Sequence, residues 1–273
     1  MKIGEIIHNK YVVESLIAKG GMGTTYLAKD NSKEVVLKVL TLSEMNEWKT
    51  LELFEREAET LENINHPLIP DYIDYFTIEN EKEIHYVIVQ EYVNGKNLEV
   101  LVKEGRKFTL DEIKTIFQSL LKTLDYIHNM RSPIIHRDIN PKNIILKKVD
   151  KVYLVDFGAT GQVVKETILG GSTFVGTLGY TPQEQLYGKI LPSTDLYALA
   201  LTMIFLLTGR EPSDFEYKDL KINYHPFVNI PDNMKHLLDS MINPDIDERI
   251  DSAKKALDIL LEKSKIQQKK EKK

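Results

Sequence analysis

The chain has 273 residues, 42% of them hydrophobic, with a net charge of −5 and a pI near 5.9. That length suits one large domain or two packed lobes. The mild acidity gives no electrostatic case for nucleic acid, and the absence of cysteine excludes both a disulfide framework and a thiolate metal site.

Met1-Lys2-Ile3-Gly4-Glu5 lacks the apolar run of a signal peptide. Tyr11–Ile17 and Thr24–Lys29 are predicted strands joined by a glycine turn, Gly20-Gly21-Met22-Gly23. Asp30-Asn31-Ser32 is a second turn, followed by a strand over Glu34–Leu40. The spacing of Leu51, Phe54, Ala58, Leu61 and Ile64 predicts a helix over 44–65, stopped by His66-Pro67. Ile84–Val89 is a further strand. Beyond it the pattern turns helical. Thr109-x-x-Glu112 is a capping box, opening a helix with Ile113, Ile116, Phe117, Leu120, Leu124 and Ile127 on one side. Ile144–Leu146 and Val152–Val155 are short strands. Asp195 opens the most apolar helix and Gly209 closes it. Leu196–Leu207 is too short to span a bilayer and reads as buried. Asn233–Ile242 and Ser252–Leu261 are later helices, and the lysine-rich 262–273 is a solvated tail. A soluble cytoplasmic protein, with neither membrane nor nucleic acid as partner, is expected.

Chemistry enters at Lys38, which ends the apolar run Val35-Val36-Leu37. Glu57 lies three residues after Phe54 and four before Leu61, on the apolar face of its helix. A bare carboxylate is costly there and calls for a cation. Lys38 is the natural candidate; a rim salt bridge is the plainer alternative. Gly20, Gly21 and Gly23 let backbone N–H groups approach phosphate oxygens, though a simple tight turn needs them equally. Two motifs carry more. In His136-Arg137-Asp138-Ile139-Asn140-Pro141-Lys142-Asn143, Asp138 would orient a hydroxyl. Asn143 would join the aspartate of Asp156-Phe157-Gly158 in ligating Mg²⁺. Lysine, glycine turn and both motifs in this order argue against chance.

With those residues in place, the chain resembles a protein kinase catalytic domain over about residues 8–261. It is most similar to the eukaryotic-like serine/threonine kinases of bacteria, through Gly176-Thr177-Leu178-Gly179-Tyr180-Thr181-Pro182-Gln183-Glu184-Gln185 and Ser193-Thr194-Asp195-Leu196-Tyr197-Ala198-Leu199. The resemblance implies an α+β, two-lobed fold: a β-rich N-lobe with one helix (about 8–90), a hinge (91–95) and a mainly helical C-lobe (96–261). It implies ATP in the cleft, Mg²⁺, and a protein substrate with a serine or threonine hydroxyl. Ile17, Ala18, Gly20, Gly21, Met22, Gly23, Thr25, Val36, Lys38 and Ile145 would hold the nucleotide, with Gln90 as gatekeeper and Glu91 and Val93 at the hinge. Lys38 would grip the α- and β-phosphates, positioned by Glu57. Leu61, His136 and Phe157 would stack in a spine. Asp195 would anchor the catalytic loop, Glu184 would pair with Arg249, and Thr177 would contact Asp138. Asp156–Glu184 becomes an activation loop carrying Thr160, Thr167, Ser172 and Thr173. A phosphate on Ser172 or Thr173 would pair with Arg137, which brings self-association for autophosphorylation into view.

The pattern is broken in places. Ala18 replaces the first glycine, Thr25 the usual valine and Val36 the usual alanine, while Pro182-Gln183 stands for Ala-Pro. Asn140 replaces the lysine expected at the γ-phosphate, where a lost cation costs transition-state stabilisation. Lys142, four residues after the aspartate, is expected to substitute. A nucleotide-binding pseudokinase or weakly active scaffold stays open as the alternative; a small-molecule kinase is disfavoured by the peptide platform expected of Gly176–Glu184.

Overall fold

Residues 1–94 together with 156–160 form one structural unit, and residues 95–155 together with 161–273 form the other. The computed structural model describes residues 1–20, 23–42, 48–80, 83–159, 161–162, 176–177, 179–218 and 220–261.

The first unit contains β1 (Ile6–Ile7), β2 (Tyr11–Gly20), β3 (Gly23–Asp30), β4 (Lys33–Thr41), α1 (Trp48–Glu62), β5 (Tyr72–Glu79) and β6 (Ile84–Glu91). They form one antiparallel sheet in the order β1-β2-β3-β4-β6-β5. Side-chain alternation gives the sheet two working faces. Val35, Leu37 and Val39 of β4 bury in a cluster with Tyr11, Val13, Ala28, Val87 and Val89. Leu40 and Ile88 point the other way, onto Leu51, Phe54 and Ala58 of α1. Lys38 shares the parity of Leu40, so it belongs to the α1 side. The β2–β3 ladder ends where Gly20 pairs with Gly23. Gly23 has φ of 119°, and a Cβ there would strike the Val39 carbonyl oxygen, so only glycine fits. Gly21 and Met22 lie outside the described residues.

Two expectations need correction here. Helix α1 ends at Glu62, not 65, because the N–H groups of Asn63 and Ile64 bond three residues back, to Thr60 and Leu61, and tighten the last turn. Its expected start at 44 falls outside the described residues. Strand β5 was not anticipated; it lies at the sheet edge and pairs with β6.

The second unit contains β7 (Lys96–Asn97), α2 (Leu98–Lys103), α3 (Leu110–His128), β8 (Ile134–Ile135), β9 (Ile144–Lys148), β10 (Lys151–Leu154), β11 (Gly161–Gln162), α4 (Gln183–Leu186), α5 (Pro192–Thr208), β12 (Tyr217–Lys218), β13 (Lys221–Ile222) and α6 (Asp232–Met241). Residues 253–261 are also helical. The capping box of α3 forms: the Glu112 N–H donates to Thr109 Oγ1 at 3.2 Å, and Glu112 Oε2 accepts from the Thr109 N–H at 2.8 Å. Helix α5 is buried along most of its length and packs against α3 and α6. It starts at Pro192, three residues before the expected Asp195. Proline suits the first helical position, and Thr194 Oγ1 accepts the Leu191 N–H at 3.2 Å. Gly209 closes α5 in the left-handed conformation.

A β-rich unit with one long helix and a mainly helical unit make up the expected α+β class. Among the described residues, no helix is long and apolar enough to cross a membrane.

Candidate active site

In the first unit, the parity of β4 and the inner face of α1 bring two sequence-predicted residues together. Lys38 Nζ donates to Glu57 Oε2 at 2.6 Å and to Asp156 Oδ1 at 2.7 Å. Glu57 is 1% exposed and Lys38 12%. Burial by itself would lower the Lys38 ammonium, but the Asp156 and Glu57 carboxylates outweigh it and hold Lys38 above its ordinary value, firmly cationic. Burial pushes the Glu57 carboxyl upward, and the Lys38 ammonium opposes that push. Asp156 sits at φ 64°, a left-handed backbone that aspartate tolerates better than most residues. The 3₁₀ turn Phe157–Ala159 follows and packs against α1.

The strand register adds the predicted nucleotide residues. Ala18 pairs with Thr25 and Thr25 with Lys38, so the three stand in one row on one face of the sheet. Val36 pairs with Gln90, which is buried, as are Val93 and Leu61. Glu91 pairs with Val35 at the end of β6. Ile17, Ala18 and Gly20 are exposed. Ile145, in the second unit, is half-buried and pairs with Tyr153 and Asn97.

In the second unit, Asp195 of α5 organises the first motif from below. Its Oδ2 accepts the His136 N–H and its Oδ1 the Arg137 N–H, each at 2.8 Å. His128, the last residue of α3, brings Nε2 to 2.8 Å from Asp195 Oδ2. Arg137 has φ of 69°, uncommon for a long side chain. It is pinned on both sides, since Gln185 Nε2 also donates to its carbonyl at 2.8 Å. His128 and Gln185 were missed in the sequence. A histidine closing the buried face of α3 was a weak signal for the first; the second had none.

Asp138 emerges from this frame with both carboxylate oxygens held. Oδ1 accepts the Thr177 hydroxyl at 2.7 Å and Asn140 Nδ2 at 3.0 Å, while Oδ2 accepts Asn143 Nδ2 at 2.9 Å. Asn140 is 2% exposed. Its Nδ2 also lies 3.1 Å from Thr177 Oγ1, and its Oδ1 accepts the Lys142 N–H at 2.9 Å, capping the 3₁₀ turn Pro141–Asn143. The Lys142 side chain is turned to the surface, with Nζ 3.8 Å from Glu99 Oε1. Gly176, just before Thr177, has φ of 127°, and a Cβ there would strike Thr181 Oγ1. Farther from Asp138, Arg249 forks onto Glu184, with Nη2 3.2 Å from Oε2, and its guanidinium lies over the Tyr197 ring. Thr160, Thr167, Ser172, Thr173 and the tail 262–273 lie outside the described residues.

Residues 11–260 match the protein kinase domain family. The chain belongs to that family. Among curated proteins this kinase domain is 33% identical to serine/threonine-protein kinase B of Synechocystis sp., over 93% of the chain and 46% of the relative. It is 34% identical to serine/threonine-protein kinase PknA of Nostoc sp., over 94% of the chain and 48% of the relative. Against serine/threonine-protein kinase D of Synechocystis sp. the identity is 40%, over 76% of the chain and 42% of the relative. The chain thus spans about half the length of the relatives it matches.

Within this kinase domain, the departure at Asn140 has a structural role: a neutral amide bridges the aspartate and the threonine. Each unit carries an oxygen donor of the hard kind that Mg²⁺ takes. Asn143 spends its amide N–H groups on Asp138 Oδ2 and carbonyl oxygen, which leaves its amide oxygen as a hard ligand. In the first unit, separately, Asp156 carries a carboxylate. One or two such oxygens plus phosphates are what Mg²⁺ commonly takes.

Proposed function

We propose that the chain is an ATP- and Mg²⁺-dependent kinase of serine and threonine hydroxyls in proteins. The observation that carries this reading is Asp138, whose carboxylate is held by Thr177, Asn140 and Asn143. The substrate hydroxyl oxygen bonds to the γ-phosphorus, the bond from that phosphorus to the bridging oxygen of ADP breaks, and ADP leaves with the electron pair. Asp138 orients the hydroxyl and receives its proton. Lys38, kept cationic by Asp156 and Glu57, grips the α- and β-phosphates. In the first unit, Gln90, Glu91 and Val93 would border the adenine beside Ile17, Thr25 and Val36; by the resemblance alone, Ile145 would add a further contact. Asn143 and Asp156 would hold the metal, which neutralises phosphate charge when bound.

Asn140 commits its amide to Asp138, Thr177 and the Lys142 N–H, and it is neutral. Lys142 therefore takes over the cationic role at the γ-phosphate. Relatives named serine/threonine kinases and the Thr177 contact support the choice of hydroxyl. Substrates are proteins, a second copy of the chain among them, with Ser172 or Thr173 as acceptors for Arg137 to read. A cytoplasmic location suits the use of ATP. Incubation with labelled ATP, Mg²⁺ and a generic protein substrate tests the reading beside Asp138→Asn. Transfer by the natural chain alone is expected; equal label in both refutes the assignment.

A further inference from the structure

Lys142 is held at one end and loosely tethered at the other. Its backbone N–H is fixed by Asn140. Its ammonium lies 3.8 Å from Glu99 Oε1, and the same oxygen lies 3.0 Å from Lys103 Nζ. Glu99 stands in the first turn of α2, where Asn97 Oδ1 accepts the Val100 N–H at 2.8 Å and fixes the helix start. Helix α2 packs against the Pro141–Asn143 turn, which brings Glu99 beside Lys142. Glu99 is 16% exposed and Lys142 60%.

Two lysines share one carboxylate oxygen, and the nearer is Lys103. When Lys142 departs, Glu99 keeps a cation, so leaving costs little. An exposed, long ion pair of this kind shifts an equilibrium by at most about fivefold. A doubly charged phosphate outcompetes it; a passing surface carboxylate does not.

We infer that Glu99 is a positioning residue that parks Lys142 against α2 and yields it to the γ-phosphate, with Lys103 setting how tightly it is parked. The inference rests on the proposed role of Lys142. It follows that the kinase's response to nucleotide is tuned by α2, through a residue that does not itself touch phosphate. The pairing was not anticipated: Glu99 and Lys142 are far apart in sequence and belong to no shared motif.

The test is a double-mutant cycle on kcat/KM for ATP, with Glu99→Gln, Glu99→Asp, Lys103→Ala, Lys142→Ala and their combinations. Lys142→Ala is expected to cut kcat/KM. Glu99→Gln frees Lys142 and raises kcat/KM by about two- to fivefold, while Glu99→Asp stays near the natural value. Lys103→Ala leaves Glu99 to Lys142 alone and lowers kcat/KM about twofold. Both effects vanish in the Lys142→Ala background, and both shrink at high salt, where exposed charges are screened. Equal effects of Glu99→Gln with and without Lys142 overturn the parking role and leave the phosphate role standing. Near-normal turnover by Lys142→Ala removes the phosphate role, and the parking role with it.

Discussion

The two units handle charge in opposite ways. In the first unit, an ammonium is wedged between two carboxylates, and the Lys38–Glu57 pair is nearly sealed from water. In the second unit, Asp138 is held by two amides and a hydroxyl, all neutral. A buried ion pair is expensive to desolvate and resists disruption once made. Neutral donors fix a carboxylate without cancelling its charge. The difference suits the work proposed for each: Lys38 must stay cationic toward phosphate, and Asp138 must stay basic toward a hydroxyl. Position 140 carries a neutral amide, and the chain places its lysine two residues away, at the surface.

Substitutions can break this contrast. Asp138→Asn removes the basic group but keeps the shape, and phosphoryl transfer should fall about a hundred- to ten-thousand-fold, measured by labelled ATP with folding checked by circular dichroism. Lys38→Met strands Glu57 without its cation. It should abolish transfer and lower unfolding free energy by about 3–5 kcal/mol in urea titration. Adding Glu57→Leu should recover much of the stability and none of the activity. If Lys38→Met unfolds like the natural chain, the sealed ion pair is not what the first unit rests on. Asn140→Ala loosens Asp138 and Thr177 together, and kcat should drop about tenfold, as expected for a lost hydrogen bond to a charged group. Asn140→Lys combined with Lys142→Ala should restore a good part of the transfer, because it moves the cation to the position next to Asp138. The smallest effect concerns the scaffold of the second unit. The Thr109 N–H holds the Glu112 carboxyl below its ordinary value of 4.5. That contribution is complete above 4.5 and is lost as pH falls through the lower folded value. Glu112→Gln should therefore flatten the acid limb of the stability curve slightly and leave transfer unchanged.

Much of this architecture was legible because it depends on local periodicity. Val35, Leu37 and Val39 alternate against Lys38 and Leu40, and the turn of α1 that buries Phe54 and Leu61 buries Glu57 too. The burial of Glu57 made Lys38 its natural candidate partner, with a rim salt bridge as the alternative. The capping box at Thr109 is likewise written in four consecutive residues. Contacts set by backbone shape were not legible. The Arg137 carbonyl meets Gln185 only because Arg137 adopts a left-handed turn, and no residue pattern announces that. Asn140 looked like a missing lysine, since its bridging role depends on where the Gly176–Thr177 turn delivers a hydroxyl. Strand β5 went unread because its partly exposed, partly charged edge blurs the alternation. The links from Asp195 to the first motif came from resemblance alone.

The Asp195 carboxylate has a kinetic consequence. Both its oxygens accept backbone amides from a segment that would otherwise be an ordinary loop, and Asp195 itself sits at the start of the most deeply buried helix of its unit. Those amides are bonded to a residue anchored in that packing, so their exchange is expected to follow the opening of α5. In hydrogen–deuterium exchange, His136 and Arg137 should be as slow as the centre of α5. On this expectation, the His136–Arg137 segment loosens only together with α5.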